Sequence, residues 1–159
     1  MFAATSIETW WKRMGLERYP DARSLFITAD AGGSNSYRSH VWKIELQRLA
    51  DELRLSIHVS HFPPGTSKWN KVEHRLFSFI SINWRGKPLR TYETVVNLIG
   101  NTTTRGGLVV CAKLDRRRYP VGRKISPKEL SALNLDMDKF HGDWNYVIHP
   151  RTSPPQKPT

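Results

Sequence analysis

The sequence predicts an α/β fold in which helices alternate with two parallel strands, and three observations lead to this prediction. Hydrophobic residues make up 38% of the 159 residues, which is enough for a buried core. Helical and strand patterns alternate along the first half of the chain. A helix that separates two strands of one sheet joins them as parallel neighbours through a right-handed crossover. We therefore expect two central parallel strands with helices on both faces of the sheet.

The first elements follow from local patterns. Residues 5–18 carry apolar side chains at the i, i+3, i+4, i+7 spacing of an amphipathic helix. "SLFITA" (24–29) indicates a short, fully buried strand, and residues 39–54 indicate a second helix. "LSIHVSHF" (55–62) predicts the next strand. The two prolines and the glycine of "PPGTSKW" (63–69) exclude a central strand there.

The later elements are shorter. Asn70 is expected to cap a third helix, and a fourth helix is expected over residues 91–102. "LVVCAKL" (108–114) predicts a strand. Residues 126–133 begin with Ser-Pro and predict a short serine-capped helix. The segment 151–159 has no apolar residues and is expected to be a disordered tail.

Charge and cysteine content narrow the classes of function. The formal net charge is +11 and the isoelectric point is about 10.2, which favours a polyanionic partner such as nucleic acid over a merely basic surface. The single cysteine, Cys111, excludes an internal disulfide and a cysteine-cluster zinc site, and it fits a reducing compartment. No stretch approaches the roughly 18 apolar residues of a membrane span. We expect a soluble cytoplasmic protein without a membrane partner.

Two carboxylates are candidates for a metal site. Asp30 follows "FITA" at the carboxyl end of a predicted strand, where functional groups of parallel sheets gather. It also suits a turn before Gly32-Gly33. Glu73 opens a helix on the flank of its apolar face, and it also has capping-box spacing from Asn70. Together they fit phosphodiester chemistry, in which carboxylates from separate elements hold two hard cations about 4 Å apart.

Longer motifs carry a resemblance. "TADAGGSN", "HFPPGTSKWNKVEHRLFSFI", "WRGKPL" and "TTTRGGLVV" resemble the catalytic domain of the ISAzo13-type (Rhodopirellula-type) DDE transposases of bacterial insertion sequences. The resemblance runs from "WWKRMG" to about residue 136, nearly the whole chain. It implies a ribonuclease-H-like fold over residues 1–150 and a DDE triad that binds Mg²⁺ or Mn²⁺. It also implies double-stranded DNA as partner, possible self-association and a location at the bacterial nucleoid.

The resemblance assigns roles residue by residue. Asp30 matches the second acid of the triad and Glu73 the last. The surrounding motif residues match as well, and we interpret them as shaping the site: Asn35 orients Asp30, and the segment before the Glu73 helix directs it at the metals. These site-shaping residues are Asn35, Pro64, Ser67, Trp69 and Asn70.

The chain departs from the family at its first acid. In the family fold that aspartate lies on the first of three antiparallel strands, before the first helix, whereas this chain begins at that helix. Asp21 falls in a turn ahead of the wrong strand. We therefore expect an N-terminally truncated domain without those strands, with an incomplete site and an open apolar sheet edge. The alternative is an inactive remnant that at most binds DNA.

Basic residues suggest where DNA binds. Lys68 and Lys71 lie at the start of the Glu73 helix. A separate basic strip over residues 113–128 contains a single acid, Asp115. The strip predicts salt-dependent phosphate contacts, although a solvated basic face has the same composition. Its members are Lys113, Arg116, Arg117, Arg118, Arg123, Lys124 and Lys128. His58 and His61 suggest a metal pair, but their spacing on a strand sends them to opposite faces.

Overall fold

The structure is a computed structural model that describes residues 2–152. In chain order, its regular elements are α1 (Phe2–Trp10), a π-helical turn (Trp11–Gly15), α2 (Leu16–Arg18), β1 (Ser24–Ala29), α3 (His40–Leu53), β2 (Ser56–His61), a 3-10 turn (Ser67–Trp69), α4 (Lys71–Trp84), α5 (Tyr92–Gly100), α6 (Pro127–Ser131), β3 (Leu135–Met137) and β4 (Asn145–Ile148). The described residues form two compact units. The sheet unit comprises residues up to Gly65 and from Tyr119 onward, and the helical unit comprises Thr66–Arg118.

A mixed sheet organises the sheet unit. Its strand order is β1-β2-β4-β3. β1 and β2 are parallel, in register from Ser24 opposite Ser56 to Ala29 opposite His61, which confirms the predicted parallel pair. β4 runs antiparallel to both β2 and β3. The expectation that both early strands are central is wrong for β1, which forms an edge of the sheet in the described residues.

The core lies on one face of the sheet, where α1 and α3 pack. Its fully or nearly buried members are Ala4, Trp42, Leu46, Leu49, Ala50, Ile57, Val59, Tyr146 and Ile148. Phe26 projects from the opposite face of β1 and is 64% exposed. The strand predicted to be fully buried is therefore half-buried, as is normal for an edge strand with one covered face. This mixed α/β arrangement is compatible with a ribonuclease-H-like domain, and the expected lack of further strands stays a prediction.

The first helix contains a widened turn. The Leu16 backbone N–H donates to the Trp11 carbonyl, one residue further back than in an α-helix. Trp11 is buried, and its ring lies against Gly15 so closely that a Cβ at Gly15 would lie 2.5 Å from Trp11 Cε3. The helix predicted over residues 5–18 is therefore confirmed as helical, with a π-turn that its apolar spacing did not indicate.

A buried glutamine ties α3 to the strands that complete the sheet. The Gln47 side-chain amide donates to the His149 carbonyl at 2.8 Å, and its carbonyl accepts from the Asn134 N–H at 2.7 Å. Asp51, one turn further along α3, accepts from the backbone and the guanidinium of Arg151. Asn134 precedes β3 and His149 follows β4, so these contacts hold one end of the antiparallel β3–β4 pair against α3.

Asn70 and Thr91 cap α4 and α5 in the helical unit, as the sequence predicts for Asn70. The Asn83 side chain donates to the Leu98 carbonyl and joins the two helices. The strand predicted over 108–114 is wrong, because the structure has only an isolated bridge there, between Thr103 and Val109. A Gly106-Gly107 turn brings these two residues together, but no further pairs extend the ladder.

The end of the described chain agrees with the predicted capping. α6 carries a capping box in which Ser126 and Glu129 bond each other's backbone N–H. Most of the predicted tail, residues 153–159, lies outside the described residues. None of the described helices combines the length and the apolar character needed to cross a membrane.

Candidate functional site

Asp30 lies at the carboxyl end of β1, where the sequence predicts it. The Phe62 N–H donates to the Ala29 carbonyl at 2.8 Å, so β1 and the end of β2 remain paired up to the residue before Asp30. In a parallel pair both carboxyl ends meet at one edge of the sheet. Asp30 therefore stands next to His61, the last residue of β2.

One carboxylate oxygen of Asp30 has no hydrogen-bond partner. Oδ1 is buried and accepts no hydrogen bond from any described residue. A buried oxygen in that state loses its hydration without compensation, which is unfavourable unless another group satisfies it. Hard divalent cations such as Mg²⁺ and Mn²⁺ prefer such oxygen ligands. The Asp30 carboxylate oxygen is therefore a suitable ligand for the Mg²⁺ or Mn²⁺ that the resemblance implies.

His61 bonds the backbone of Asp30. It is 5% exposed, and its Nδ1 lies 3.1 Å from the Asp30 carbonyl oxygen. Its Nε2 lies 3.2 Å from the Tyr146 hydroxyl. The arrangement is consistent with a neutral ring that donates from Nδ1 and accepts from the hydroxyl. Burial lowers the pKa of His61; the bond to Asp30 opposes this shift, and the Lys43 ammonium adds to it.

Lys43 and Tyr146 complete the surroundings of this histidine. The Lys43 ammonium lies 5.2 Å from the centre of the Tyr146 ring, a cation–π distance. Burial lowers the pKa of Lys43, and the charge of Asp143 opposes the shift. Burial also raises the pKa of Tyr146, which keeps its hydroxyl protonated and able to donate to His61.

The proposed histidine pair is not a metal site in the structure. His61 is buried on the core side of β2, while His58 is one of the alternating residues of the opposite face, as the spacing predicts. Across residues 2–152, no group of three or more His, Cys, Asp or Glu side chains is arranged to hold an ion. The sequence did not reveal the bond between His61 and Asp30, because the partner atom belongs to the backbone of another strand.

Glu73 belongs to the first turn of α4. The Asn70 side chain accepts from the Glu73 N–H at 3.4 Å and donates to Glu73 Oε2 at 2.7 Å. Asn70 therefore caps the helix, as the capping alternative predicts. The Glu73 carboxylate accepts from the side-chain amide of Asn70, whereas in a capping box it accepts from the backbone N–H of the cap residue. The Glu73 residue is exposed. Asp30 and Glu73 belong to different units, so their joint action stays a prediction.

The site-shaping residues lie in loops next to the two acids. Asn35 accepts a hydrogen bond from the Ser34 hydroxyl at 3.0 Å, and within residues 2–152 no hydrogen bond joins it to Asp30. Pro64 falls in the segment between β2 and the 3-10 turn. Ser67 and Trp69 belong to that turn, which leads directly into Asn70. Trp69 is largely exposed. The role of these residues stays a prediction.

The basic strip divides into paired and unpaired residues. Arg116 bonds Glu93 at 2.7 Å, Arg117 bonds Asp115 at 2.7 Å, and Arg123 bonds both Glu45 and Glu129. Exposed pairs of this kind contribute about 0–1 kcal/mol, so a phosphate can displace them at little cost. The other strip residues, and the two lysines beside the Glu73 helix, have no ion pair or side-chain hydrogen bond within the described residues: Lys113, Arg118, Lys124 and Lys128, with Lys68 and Lys71.

Comparison with known proteins identifies the family. The family model described as the Rhodopirellula transposase DDE domain matches residues 1–150. No curated protein and no solved structure matches the chain. The match spans the carboxyl end of β1 with Asp30 and the first turn of α4 with Glu73, the two positions that the sequence motifs single out. The chain therefore belongs to the Rhodopirellula-type DDE transposase family.

Proposed function

We propose that this chain contributes Asp30 and Glu73 to the metal site of a transposase that cleaves and rejoins DNA strands at the ends of a bacterial insertion sequence. The observation that carries the proposal is the buried Asp30 Oδ1 without a hydrogen-bond partner, at the sheet edge where parallel strands end. Such an oxygen can serve as a ligand for a divalent cation. The family match supports the reaction class.

The residues have separate roles in this proposal. Asp30 and Glu73 would hold Mg²⁺ or Mn²⁺, and the cation would supply activation of the attacking oxygen and stabilisation of the leaving oxygen of the phosphodiester. His61 fixes the backbone of Asp30, so that the carboxylate keeps its orientation when a cation arrives or leaves. Asn70 holds the Glu73 carboxylate at the head of α4.

Duplex DNA is the proposed partner, and its phosphates bind basic side chains. The net charge of +11 supports this partner. Lysines and arginines without a carboxylate partner can contact phosphates directly, and in the described residues Lys68, Lys113 and Arg118 are of this kind. Each such contact releases counterions, so affinity for duplex DNA is expected to fall as salt concentration rises. Equal binding at low and moderate salt would contradict this surface.

The test is strand nicking of supercoiled plasmid DNA with Mg²⁺ or Mn²⁺. Asp30→Asn and Glu73→Gln each remove one proposed ligand charge and are expected to abolish metal-dependent nicking. Asp21→Asn is the control for Asp30, because Asp21 is an exposed turn residue of the same unit. Glu93→Gln is the control for Glu73, because Glu93 also lies in the first turn of a helix of the helical unit. Nicking that survives either ligand substitution would overturn the proposal.

A second candidate is a DNA-binding module that does not cleave. It is supported by the sequence, in which no aspartate on a strand matches the first acid of the family triad. The same experiment separates the two candidates. Salt-dependent DNA binding without nicking by the unsubstituted chain supports the binding module, whereas nicking lost only in the ligand variants supports the transposase reaction.

A further inference from the structure

The turn between β3 and β4 lies at the same sheet edge as Asp30. β4 is antiparallel to β2, and its first residue, Asn145, pairs with Ser60 near the end of β2. The His61 N–H donates to the Trp144 carbonyl at 2.9 Å, directly beside the bond between His61 and Asp30. Residues of this turn are therefore neighbours of the candidate metal ligand within one unit.

A continuous row of rings leads from His61 to the surface. We call it the aromatic row, and its members in order are His61, Tyr37, Trp144, His141 and Phe140. Successive ring centres are 6.1, 5.9, 5.2 and 4.4 Å apart. His141 and Trp144 are stacked with an angle of 20° between their planes. The row begins at the residue that bonds Asp30 and ends at Phe140, which is 72% exposed.

The turn that carries the outer rings is held rigidly. Asp138 Oδ1 accepts from the Phe140 N–H at 2.7 Å, and the Asn145 amide donates to the Phe140 carbonyl at 3.0 Å. His141 has the left-handed φ of 49°, which is uncommon outside glycine. A Cβ at Gly142 would lie 2.7 Å from the Asp138 carbonyl, so the turn requires glycine there. An ordered turn of this kind presents Phe140 in a fixed position.

Positive charges accompany the rings. The Arg38 guanidinium lies 5.1 Å from the centre of the Tyr37 ring and donates to its hydroxyl at 2.8 Å. Lys139 is an exposed member of the turn itself, and Lys43 lies over Tyr146 next to His61. Two carboxylates, Asp138 and Asp143, belong to the same turn as Lys139. The three cations Arg38, Lys43 and Lys139 outnumber them. Flat rings beside this excess of positive charge suit a ligand that combines aromatic faces with negative charges. A nucleic acid strand with unpaired bases has both, whereas an apolar protein surface lacks the charges.

We propose that the aromatic row binds an unpaired base of a DNA strand, which stacks on the exposed ring of Phe140 while the strand's phosphates lie beside Arg38 and Lys139; His141 meets Phe140 edge-on and supports it from the side of the protein. This inference rests on the proposed function, because it makes the row the part of the site that holds a strand near Asp30. Every base has a face that can stack, so the row is tolerant of sequence. The site binds single-stranded rather than duplex DNA, because the bases within a duplex stack on one another and have no free face.

The experiment measures the affinity of a fluorescent oligothymidylate by anisotropy, without divalent metal. Phe140→Ala is expected to weaken binding about five- to a hundredfold, the usual effect of removing one stacking ring. Phe26→Ala is the matched control, because Phe26 is similarly exposed at 64% in the same unit but lies outside the row. It is expected to bind like the unsubstituted chain. Circular dichroism and the melting temperature verify that both variants fold.

Two further variants separate stacking from other causes. Phe140→Trp is expected to keep the affinity, and Phe140→Leu is expected to lose it, because leucine retains apolar volume but cannot stack. The loss in Phe140→Ala is expected to be the same at low and moderate salt, since stacking releases no counterions. Lys139→Ala is expected instead to flatten the dependence of affinity on salt.

Clear outcomes overturn the inference. Equal affinities of Phe140→Ala and Phe26→Ala, or no binding of the oligonucleotide by the unsubstituted chain, exclude the base site. If Phe140→Ala alters self-association in sedimentation but leaves DNA affinity unchanged, the row is an interface between copies of the chain. Because the assay omits metal, its result is independent of nicking. If the chain binds the oligonucleotide through Phe140 but does not nick DNA, the base site is supported and the proposed reaction is wrong.

Discussion

The imidazole Nδ1 of His61 lies 3.1 Å from the backbone carbonyl oxygen of Asp30, so the last residue of β2 fixes the residue that follows β1. Because His61 also takes a hydrogen bond from Tyr146, three elements meet at this point: both parallel strands and β4. The position of Asp30 thus depends on a buried side chain that the backbone pattern of the sheet does not by itself specify.

We predict that Tyr146→Phe destabilises the fold. The substitution removes the hydroxyl that donates to His61 Nε2 at 3.2 Å and leaves that buried nitrogen without its donor. An unsatisfied buried acceptor costs about 1–3 kcal/mol in the free energy of unfolding. Chemical denaturation followed by circular dichroism measures the change.

Tyr19→Phe is the control for this experiment. The Tyr19 side chain is exposed, and within the described residues its hydroxyl makes no hydrogen bond. It is expected to change the free energy of unfolding by less than about 0.5 kcal/mol. Equal stability of the Tyr146 and Tyr19 variants would show that the hydroxyl does not support His61.

Gly15→Ala is predicted to destabilise the π-turn. The new Cβ would lie 2.5 Å from Trp11 Cε3, and Trp11 is buried and cannot move away freely. Overpacking of this kind costs about 1–3 kcal/mol. Gly32→Ala is the matched control, because a Cβ at Gly32 meets no atom within 4 Å. A melting temperature of Gly15→Ala at or above that of Gly32→Ala would contradict the close contact between Trp11 and Gly15.

Gln47→Met is predicted to loosen the attachment of β3 and β4 to α3. Methionine fills a similar volume but leaves the Asn134 N–H and the His149 carbonyl without partners, at about 1–3 kcal/mol for each buried group. Arg48→Met places the same residue at the next position of α3 and removes only exposed ion pairs. It is expected to cost at most about 1 kcal/mol. Urea denaturation of both variants compares the two, and similar midpoints would refute the role of Gln47.

The cap of α6 is predicted to weaken in acid. The Ser126 N–H and hydroxyl bond the Glu129 carboxylate, together with Arg123, and lower its pKa from 4.5 to about 2. Because the folded pKa is the lower one, the contribution is complete above pH 4.5 and is lost as the pH falls through about 2. The amide NMR signal of Ser126 is expected to titrate in that range. In Glu129→Gln the titration should vanish, and its persistence would assign it to another group.

Local chemistry explains which parts of the fold the sequence predicted. The caps at Ser126 and Asn70 involve residues three positions apart, so their spacing is visible in the sequence. The strand that ends at Ala29, directly before Asp30, is a compact run and was predicted with its bounds. Elements with local signals are therefore predictable from one sequence.

The parts that the sequence did not predict depend on distant partners. β3 and β4 have only three and four residues, too few for an alternating apolar pattern to be recognised in the sequence. They form because Gln47 and the core hold them. At residues 108–114 the sequence instead predicted a strand that does not form. The apolar run has the composition of a strand, but the structure pairs only Val109, in an isolated bridge with Thr103. The aromatic row likewise joins rings from three separate segments, which no local spacing reveals.

The order in which the two units are encoded has a consequence for synthesis on the ribosome. The helical unit is contiguous, whereas the sheet unit is split around it, with Ile57 of β2 paired to Ile148 of β4. A nascent chain therefore exposes β2 without its antiparallel neighbour until residues 145–148 have left the exit tunnel. Until then, the backbone edge of β2 at Val59, which later pairs with Tyr146, is open to solvent or to chaperones. Tyr146 of β4 completes the surroundings of His61, so the Asp30 site matures only after β4 has been synthesised.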